Sequence, residues 1–262
     1  MLPDERRQAI LRILEQSETG TASVPVLAAA FVVSEMTIRR DLDWLQSRSR
    51  VNRIHGGAML APGAFGEAPL HKRIDLADPE KQSIGWSASQ WVKDGERIIL
   101  DAGTTTHQIV RHLGTRQALT VITTSMPIAQ DLAQFPHITT IILGGLLKHG
   151  ELCTVGPLVT RELARLSADK VFLSAAGFDL SRGITDPDMS EAEVKEAMIR
   201  AATQVILVAD SSKWGHASLT HVAPLSAIDV LITDRHLPDD AVIAIESQGI
   251  NVVRATLPDT PL

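Results

Sequence analysis

Two rhythms divide the chain. Through residue 46 apolar positions recur at helical spacing: Ile10, Leu11, Ile13 and Leu14 in PDERRQAILRILEQ, then VLAAAF, then Ile38, Leu42 and Leu45 in SEMTIRRDLDWLQ. The pattern predicts three helices. Asp4 and Glu5 sit in the first turn of the first helix, where the helix dipole favours acids, and Gly20 ends that unit. The second helix begins near Ser23 or Pro25 and runs to Phe31, and VVS makes a tight turn. Ser34 caps the third helix, with Val33 and Ile38 placed as a hydrophobic staple. Opposite its apolar face stand Met36, Arg40 and Asp43, flanked by Thr37 and Arg39. That is the arrangement of a helix packed on two others with its N-terminal end free to enter a groove. In SRSRVNRIHGGAM, alternating positions over 51–55 closed by Gly56-Gly57 predict a short strand, a β-wing beside the helix.

The second rhythm is different. Residues 60–79 hold prolines and glycines without a period and are expected to be a linker. Beyond them, Val/Ile/Leu runs appear at 97–101, 119–124, 138–143, 169–175, 204–210, 229–234 and 250–254. Most are separated by helix-compatible stretches such as Thr105–Leu113, Met126–Gln134 and Glu191–Ala202. Continuous apolar strands alternating with helices predict a parallel sheet covered on both faces, hence an α/β fold. The expected division is 1–59, a helical head with a wing; 60–79, a linker; and 80–262, an α/β domain.

Charge sharpens this division. The chain has 262 residues and a formal net charge of −6. Residues 1–60 carry eight Arg against seven acids, while the rest holds 17 basic and 24 acidic groups. A mildly basic head therefore precedes an acidic body. Its basic side chains are all arginine, whose planar fork suits phosphate and guanine; the first lysine is Lys72. The single cysteine, Cys153, excludes an internal disulfide and a CxxC pair. No apolar run approaches the ~18 residues of a membrane span, and MLPDERRQ contains no signal-peptide core. A cytoplasmic protein without membrane partners is expected.

Candidate chemistry lies at strand ends. DAGTTTHQIV follows a strand and opens a helix: Gly103 lets the backbone approach a ligand, and Thr104, Thr105 and Thr106 add hydroxyls beside free N–H groups. The bland alternative is a strand–turn–helix joint with threonine caps. Thr124 and Ser125 in TTSMP, Gly144 and Gly145 in LGG, and Asp210 and Lys213 in DSSK also fall past strand ends, where open α/β sheets bind ligands. Together they describe a pocket for a small phosphorylated polyol. Lys213 would supply positive charge, and Asp101 or Asp210 would accept from hydroxyls. Ser190 is expected to cap the helix of SEAEVKEAM, with Glu191 at the pocket rim. No GK[ST], GxGxxG, HxH, HExxH or GxSxG is present, so no nucleotide, cofactor, metal or hydrolase triad is expected, and no catalytic residue is assigned.

VSEMTIRRDLDWL and RIHGGA, followed in order by DAGTTT, TTS, LGG, VGP, DKVF, GITDPD, EAEVKEAM, DSSKW and LITD, resemble the DeoR family of bacterial transcriptional regulators. The resemblance spans about residues 6 to 234. It implies a winged helix-turn-helix joined to a Rossmann-like sensor domain similar to ribose-5-phosphate isomerase. The expected function is repression of carbohydrate or sugar-acid catabolism, controlled by a phosphorylated sugar-type effector. The partners would be double-stranded operator DNA and a second copy of the chain, as dimer or tetramer. Thr37, Arg39 and Arg40 match the recognition helix, and Arg53 with His55 the wing; Ser34 and Met36 are expected at the DNA beside them, and Arg48 and Arg50 would add phosphate contacts. The rival reading is a sugar-phosphate isomerase-like enzyme with an accessory DNA module. It needs a carboxylate base, for which Asp179, Asp186 and Asp210 are the applicants.

Overall fold

The structure, a computed structural model, describes residues 3–17, 21–46, 51–54, 56–60 and 79–256. The chain divides into two compact units, Met1–Ala68 and Pro69–Leu262. The expected linker lies almost wholly outside the described residues.

In the first unit α1 (Pro3–Gln16), β1 (Thr21–Ser23), α2 (Val24–Phe31), α3 (Glu35–Gln46), β2 (Val51–Ile54) and β3 (Gly57–Leu60) follow in order. The Ser23 hydroxyl caps α2 by accepting from the Val26 N–H, and Val32 turns the chain with a left-handed backbone, φ 53°. The Ser34 hydroxyl accepts from the Thr37 N–H at 3.2 Å, so α3 starts where its cap predicts. Ile38, Leu42 and Leu45 are buried with Ile10, Leu14 and Leu27, and Val33 joins that core. Strands order β1-β3-β2, all antiparallel. At Gly57 a Cβ would stand 2.3 Å from the Ala22 carbonyl oxygen, so only glycine lets the wing close on β1.

The second unit runs α4 (Pro79–Ser89), β4 (Arg97–Leu100), α5 (Thr104–Val110), β5 (Thr120–Thr123), α6 (Met126–Leu132), β6 (Thr139–Ile142), β7 (Leu146–Lys148), β8 (Cys153–Val155), α7 (Pro157–Leu163) and β9 (Ala168–Leu173). It continues through β10 (Gly177–Asp179), β11 (Gly183–Asp186), α8 (Met189–Ala201), β12 (Ala202–Val208), β13 (Thr220–Ala223), β14 (Val230–Thr233), α9 (Asp239–Glu246) and β15 (Asn251–Arg254). Seven strands, among the described residues, form one parallel sheet ordered β15-β14-β12-β9-β4-β5-β6. They are the seven apolar runs expected.

Alternate residues explain why those runs lack alternation. Ile99, Val171, Leu207 and Leu231 enter one core; Ile98, Leu100, Phe172, Ile206 and Ile232 enter the other. Both faces are covered, so the successive strand positions that enter the two cores are apolar. Two features were not legible: the β7–β8 hairpin, and a small antiparallel sheet ordered β10-β11-β13. Both are made of three- or four-residue strands, too short for a period to show.

The sheet order reverses direction between β9 and β4. From β4 the chain winds outward through β5 and β6; from β9 it winds the other way through β12, β14 and β15. The crevice past the C-terminal ends of β4 and β9 is therefore the topological switch point, where open α/β sheets take ligands.

Candidate functional site

On α3, Met36, Arg39, Arg40 and Asp43 are exposed and Thr37 is half-buried. Of the five arginines expected to face a partner, the three that are described differ in circumstance. Arg39 pairs with Glu35 one turn back at 3.3 Å. Arg53, on β2, donates to Asp43 Oδ1 at 2.7 Å and to the Arg39 carbonyl at 3.4 Å. Arg40 has no hydrogen-bond or ion-pair partner among the described residues. The hydroxyls of Ser34 and Thr37 meet at 3.0 Å within the cap, which gives both a structural role. His55, Arg48 and Arg50 lie outside the described residues. Behind the helix, buried Asp41 accepts from Arg6 Nε at 2.6 Å and Arg7 Nε at 3.0 Å, clamping α3 to α1. Arg7 also lies over the Trp44 ring, 4.2 Å from its centre.

The 101–106 loop singled out in the sequence lies at the switch point, past the end of β4; its anchor was not foreseen. Asp101, at the end of β4, uses both carboxylate oxygens. Oδ1 accepts from the Ala102 N–H at 2.8 Å; Oδ2 accepts from the Ser174 N–H at 2.9 Å, the Ser174 hydroxyl at 2.7 Å and Lys195 Nζ at 2.8 Å. Lys195 Nζ further donates to the Ser174 carbonyl and hydroxyl oxygens, both at 2.9 Å, and stands 3.4 Å from Asp186. Burial by itself would lower the Lys195 ammonium's pKa; Asp101, Asp186 and Glu191 outweigh it and hold the group above the ordinary lysine range. The hydroxyl-accepting role expected of Asp101 is thus taken up by the protein itself. Lys195 could have been noticed, since it interrupts the buried stripe Ala192, Lys195, Met198 of α8. Read by spacing, however, Glu191–Lys195 looks like an ordinary surface pair four residues apart.

The loop above this anchor is tightly fitted. Thr104, Thr105 and Thr106 are buried, and the Thr106 hydroxyl donates to the Gly103 carbonyl at 2.9 Å. A Cβ on Gly103 would meet the Ser174 Cβ at 3.0 Å and the Thr106 hydroxyl at 3.2 Å. Alongside, the Ser125 hydroxyl caps α6 by accepting from the Ile128 N–H, and the Thr124 carbonyl accepts from the Thr154 N–H at 3.0 Å. Ser125 and Cys153 form an isolated antiparallel bridge, so the β7–β8 hairpin is stitched to this loop. Gly145 starts the hairpin with its Cα turned to Val159 and the Val155 carbonyl, while Gly144 is open.

From the hairpin, Lys148 reaches α8, pairing with Glu191 and, at 2.8 Å, with Asp188. Asp188, not Ser190, caps α8, accepting from the N–H groups of Ser190 and Glu191; the aspartate two residues earlier wins because its carboxylate meets both free donors. Burial pushes the Glu191 carboxyl up, and Asp186 adds to the rise. Cys153 is buried and its thiol is pushed far up by that burial, which removes it as a nucleophile.

Asp210 and Lys213 lie at the end of β12, where Asp210 Oδ1 caps the turn Ser211–Lys213 by accepting from the Ser212 N–H. The next residue, Trp214, packs against Phe178 of β10 with ring centres 5.4 Å apart and planes tilted by 59°. The three carboxylates proposed as a base are all engaged: Asp179 by Ser181 and Arg182, Asp186 by Lys195 and the Asp188 N–H, Asp210 by its cap. Among the described residues no group of acids, histidines and cysteine could hold a metal, and no helix is long and apolar enough to cross a membrane.

Comparison with known proteins joins the two halves. Residues 6–62 match the DeoR-like helix-turn-helix domain, and residues 77–235 match the DeoR C terminal sensor domain. The HTH-type transcriptional regulator YulB of Bacillus subtilis is 38% identical over 98% of this chain and 98% of its own length. GlpR of Haloferax volcanii, an HTH-type transcriptional regulator, is 34% identical over 97% of this chain and 98% of its own. The HTH-type transcriptional repressor GlcR of Bacillus subtilis is 36% identical over 92% of each. A ribose 5-phosphate isomerase from Methanocaldococcus jannaschii aligns at a TM-score of 0.38 and 19% identity over 51% of this chain and 53% of that one, too distant to bear on activity. With an exposed recognition helix in one unit, a sheet with a switch-point crevice in the other, and both domain matches in register with them, this chain belongs to the DeoR family and is a DNA-binding transcriptional regulator, not an enzyme.

Proposed function

We propose that the chain is a cytoplasmic repressor of a carbohydrate or sugar-acid catabolic operon, and that a phosphorylated sugar-type effector releases it from operator DNA. The observation that carries this reading is the buried Lys195–Asp101–Ser174 anchor under the 102–106 loop. It holds main-chain N–H groups and three threonines at the point where the sheet order reverses, an arrangement suited to a phosphate. Gly103, Thr104, Thr105 and Thr106 would surround the phosphate, with Thr124, Ser125, Gly144 and Gly145 beside it and Lys213 supplying charge. Met36, Arg39 and Arg40 would enter the major groove. The relative GlcR, named a repressor, supports the sign of regulation.

A homo-oligomer follows from charge and geometry. One small head opposed by an acidic body neutralises few phosphates, so tight binding needs two heads on half-sites spaced by turns of about 10 bp. The effector would act by preferring one arrangement of the heads, and efficient switching needs several kcal/mol of preference.

The test is a thermal-shift screen of phosphorylated sugars and sugar acids, followed by DNA binding with and without each hit. A hit that stabilises the protein, weakens DNA binding and is lost in Gly103→Val supports the reading. A hit that survives unchanged in both Gly103→Val and Lys213→Ala places the effector elsewhere.

A further inference from the structure

Asp43 stands on the exposed stripe of α3, one turn beyond Arg40 and two beyond Met36, and its side chain is 66% exposed. A carboxylate there opposes a polyanion approaching the same stripe. Opposite it, from the wing strand β2, comes Arg53, whose side chain is only 25% exposed and whose Nη1 binds the Asp43 carboxylate at 2.7 Å. The same nitrogen reaches the Arg39 carbonyl at 3.4 Å, while Arg53 Nε is buried without a partner. One guanidinium thus touches both the side chain and the backbone of the helix, and no other ion pair among the described residues joins α3 to the wing. Its neighbour in the ladder, Ala58 of β3, offers no competing group. A phosphate-binding arginine would be expected to hold its fork toward solvent, as Arg40 does; Arg53 instead lies along the helix.

We propose that Arg53 is a positioning residue: it latches the wing to the recognition helix through Asp43 and cancels that carboxylate on the DNA-facing stripe, and it does not itself bind phosphate. The proposal rests on the DNA-binding reading and assigns Arg53 a role different from the one its place in the wing implies. The latch fixes the angle between wing and helix, so Arg53 affects recognition through Asp43.

The test uses the full-length chain and a duplex that it selects from a random-sequence pool, with a shuffled duplex as control. Arg53→Gln is expected to weaken binding to the selected duplex by about tenfold, because the wing is loosened and Asp43 is exposed to phosphates. Adding Asp43→Asn is expected to restore most of that loss, since the neutral pair can hydrogen-bond and no uncancelled acid remains. The slope of log affinity against log salt should be the same for wild type and double variant. If Arg53 binds phosphate, Asp43→Asn gives no rescue and the slope falls by about 1 in the single and double variants alike. That result overturns the proposal. Loss of the head's fold in Arg53→Gln is read from the circular-dichroism melt. Arg53→Lys then decides: it keeps a phosphate-binding charge, but its side chain is one bond shorter and falls short of the point where Nη1 meets both Asp43 and the Arg39 carbonyl, so undiminished affinity also overturns the latch. Failure of the wild-type chain to enrich any duplex would sink the DNA reading and the latch together.

Discussion

Arg39 and Arg40 are neighbours in the chain with different surroundings. Arg39 shares its charge with Glu35, whereas Arg40 has no hydrogen-bond or ion-pair partner among the described residues. Arg40→Ala is therefore expected to cost roughly 1–3 kcal/mol on a selected duplex if it reads a base, and much less on random DNA; competition binding against both checks it. In the sensor unit the corresponding residue is Lys195, which is sealed with Asp101 and Asp186. Removing one member of a buried pair leaves an uncompensated charge, so Lys195→Met should lower stability by about 3–5 kcal/mol in urea unfolding. Asp101→Asn added to it should recover part of the loss. The Lys148 contacts make a pH prediction. Burial raises the Asp188 carboxyl, but hydrogen bonds from Lys148 and from main-chain N–H groups win and hold it below its ordinary value. A depressed carboxylate stabilises the fold above its unfolded pKa of about 3.9 and loses that contribution as pH falls through the folded value. The stability gap between wild type and Lys148→Met should therefore be constant near neutrality and close in acid; a gap that widens in acid would contradict the pairing.

At the scale of elements, α4 matters for the loop it never touches in sequence. Its buried side chains are mostly small, Ser83, Gly85, Ser87, Ala88 and Ser89, and they let it lie close against α5. A Cβ at Gly85 would stand 2.3 Å from the Gln108 Cβ and 2.8 Å from the Gln108 carbonyl carbon. Backbone cannot give way as a side-chain tip can, so Gly85→Ala should displace α5, cost about 1–3 kcal/mol and lower the melting temperature. Since α5 opens at Thr104, effector affinity should fall with it. An unchanged melt would mean that α5 absorbs the shift freely. This closeness was invisible in sequence, because the small side chains that permit it form no apolar stripe. The hairpin β7–β8 was equally hidden: LGG was legible as a loop, whereas the bridge from Cys153 to Ser125 is a long-range pairing that no local pattern announces.

For the whole molecule, the acidic body and small head predict a DNA complex that depends on symmetry. In a selected duplex with two half-sites, inserting about 5 bp between them turns one half-site to the far side of the helix and should abolish tight binding; inserting about 10 bp should restore part of it. Equal binding to all three spacings would mean that each head binds alone.

What the chain's local patterns determined is the list of parts. Helical spacing with a serine cap specifies α3, and uninterrupted Val/Ile/Leu runs specify seven strands with two covered faces, because periodicity and caps act within a few residues of one another. The motifs past the strand ends lie, as their order implied, along the C-terminal edge of the sheet. Only the tertiary structure decided which residues there are free and which are committed. Asp101 and Lys195 lie 94 positions apart, and their meeting depends on how β4 and α8 pack. Arg40 and Arg53 look alike in sequence; among the described residues the fold alone supplies a carboxylate to Arg53 and none to Arg40. Charge pairing is settled by distance in space, and a residue's neighbours in space are a product of the whole sheet.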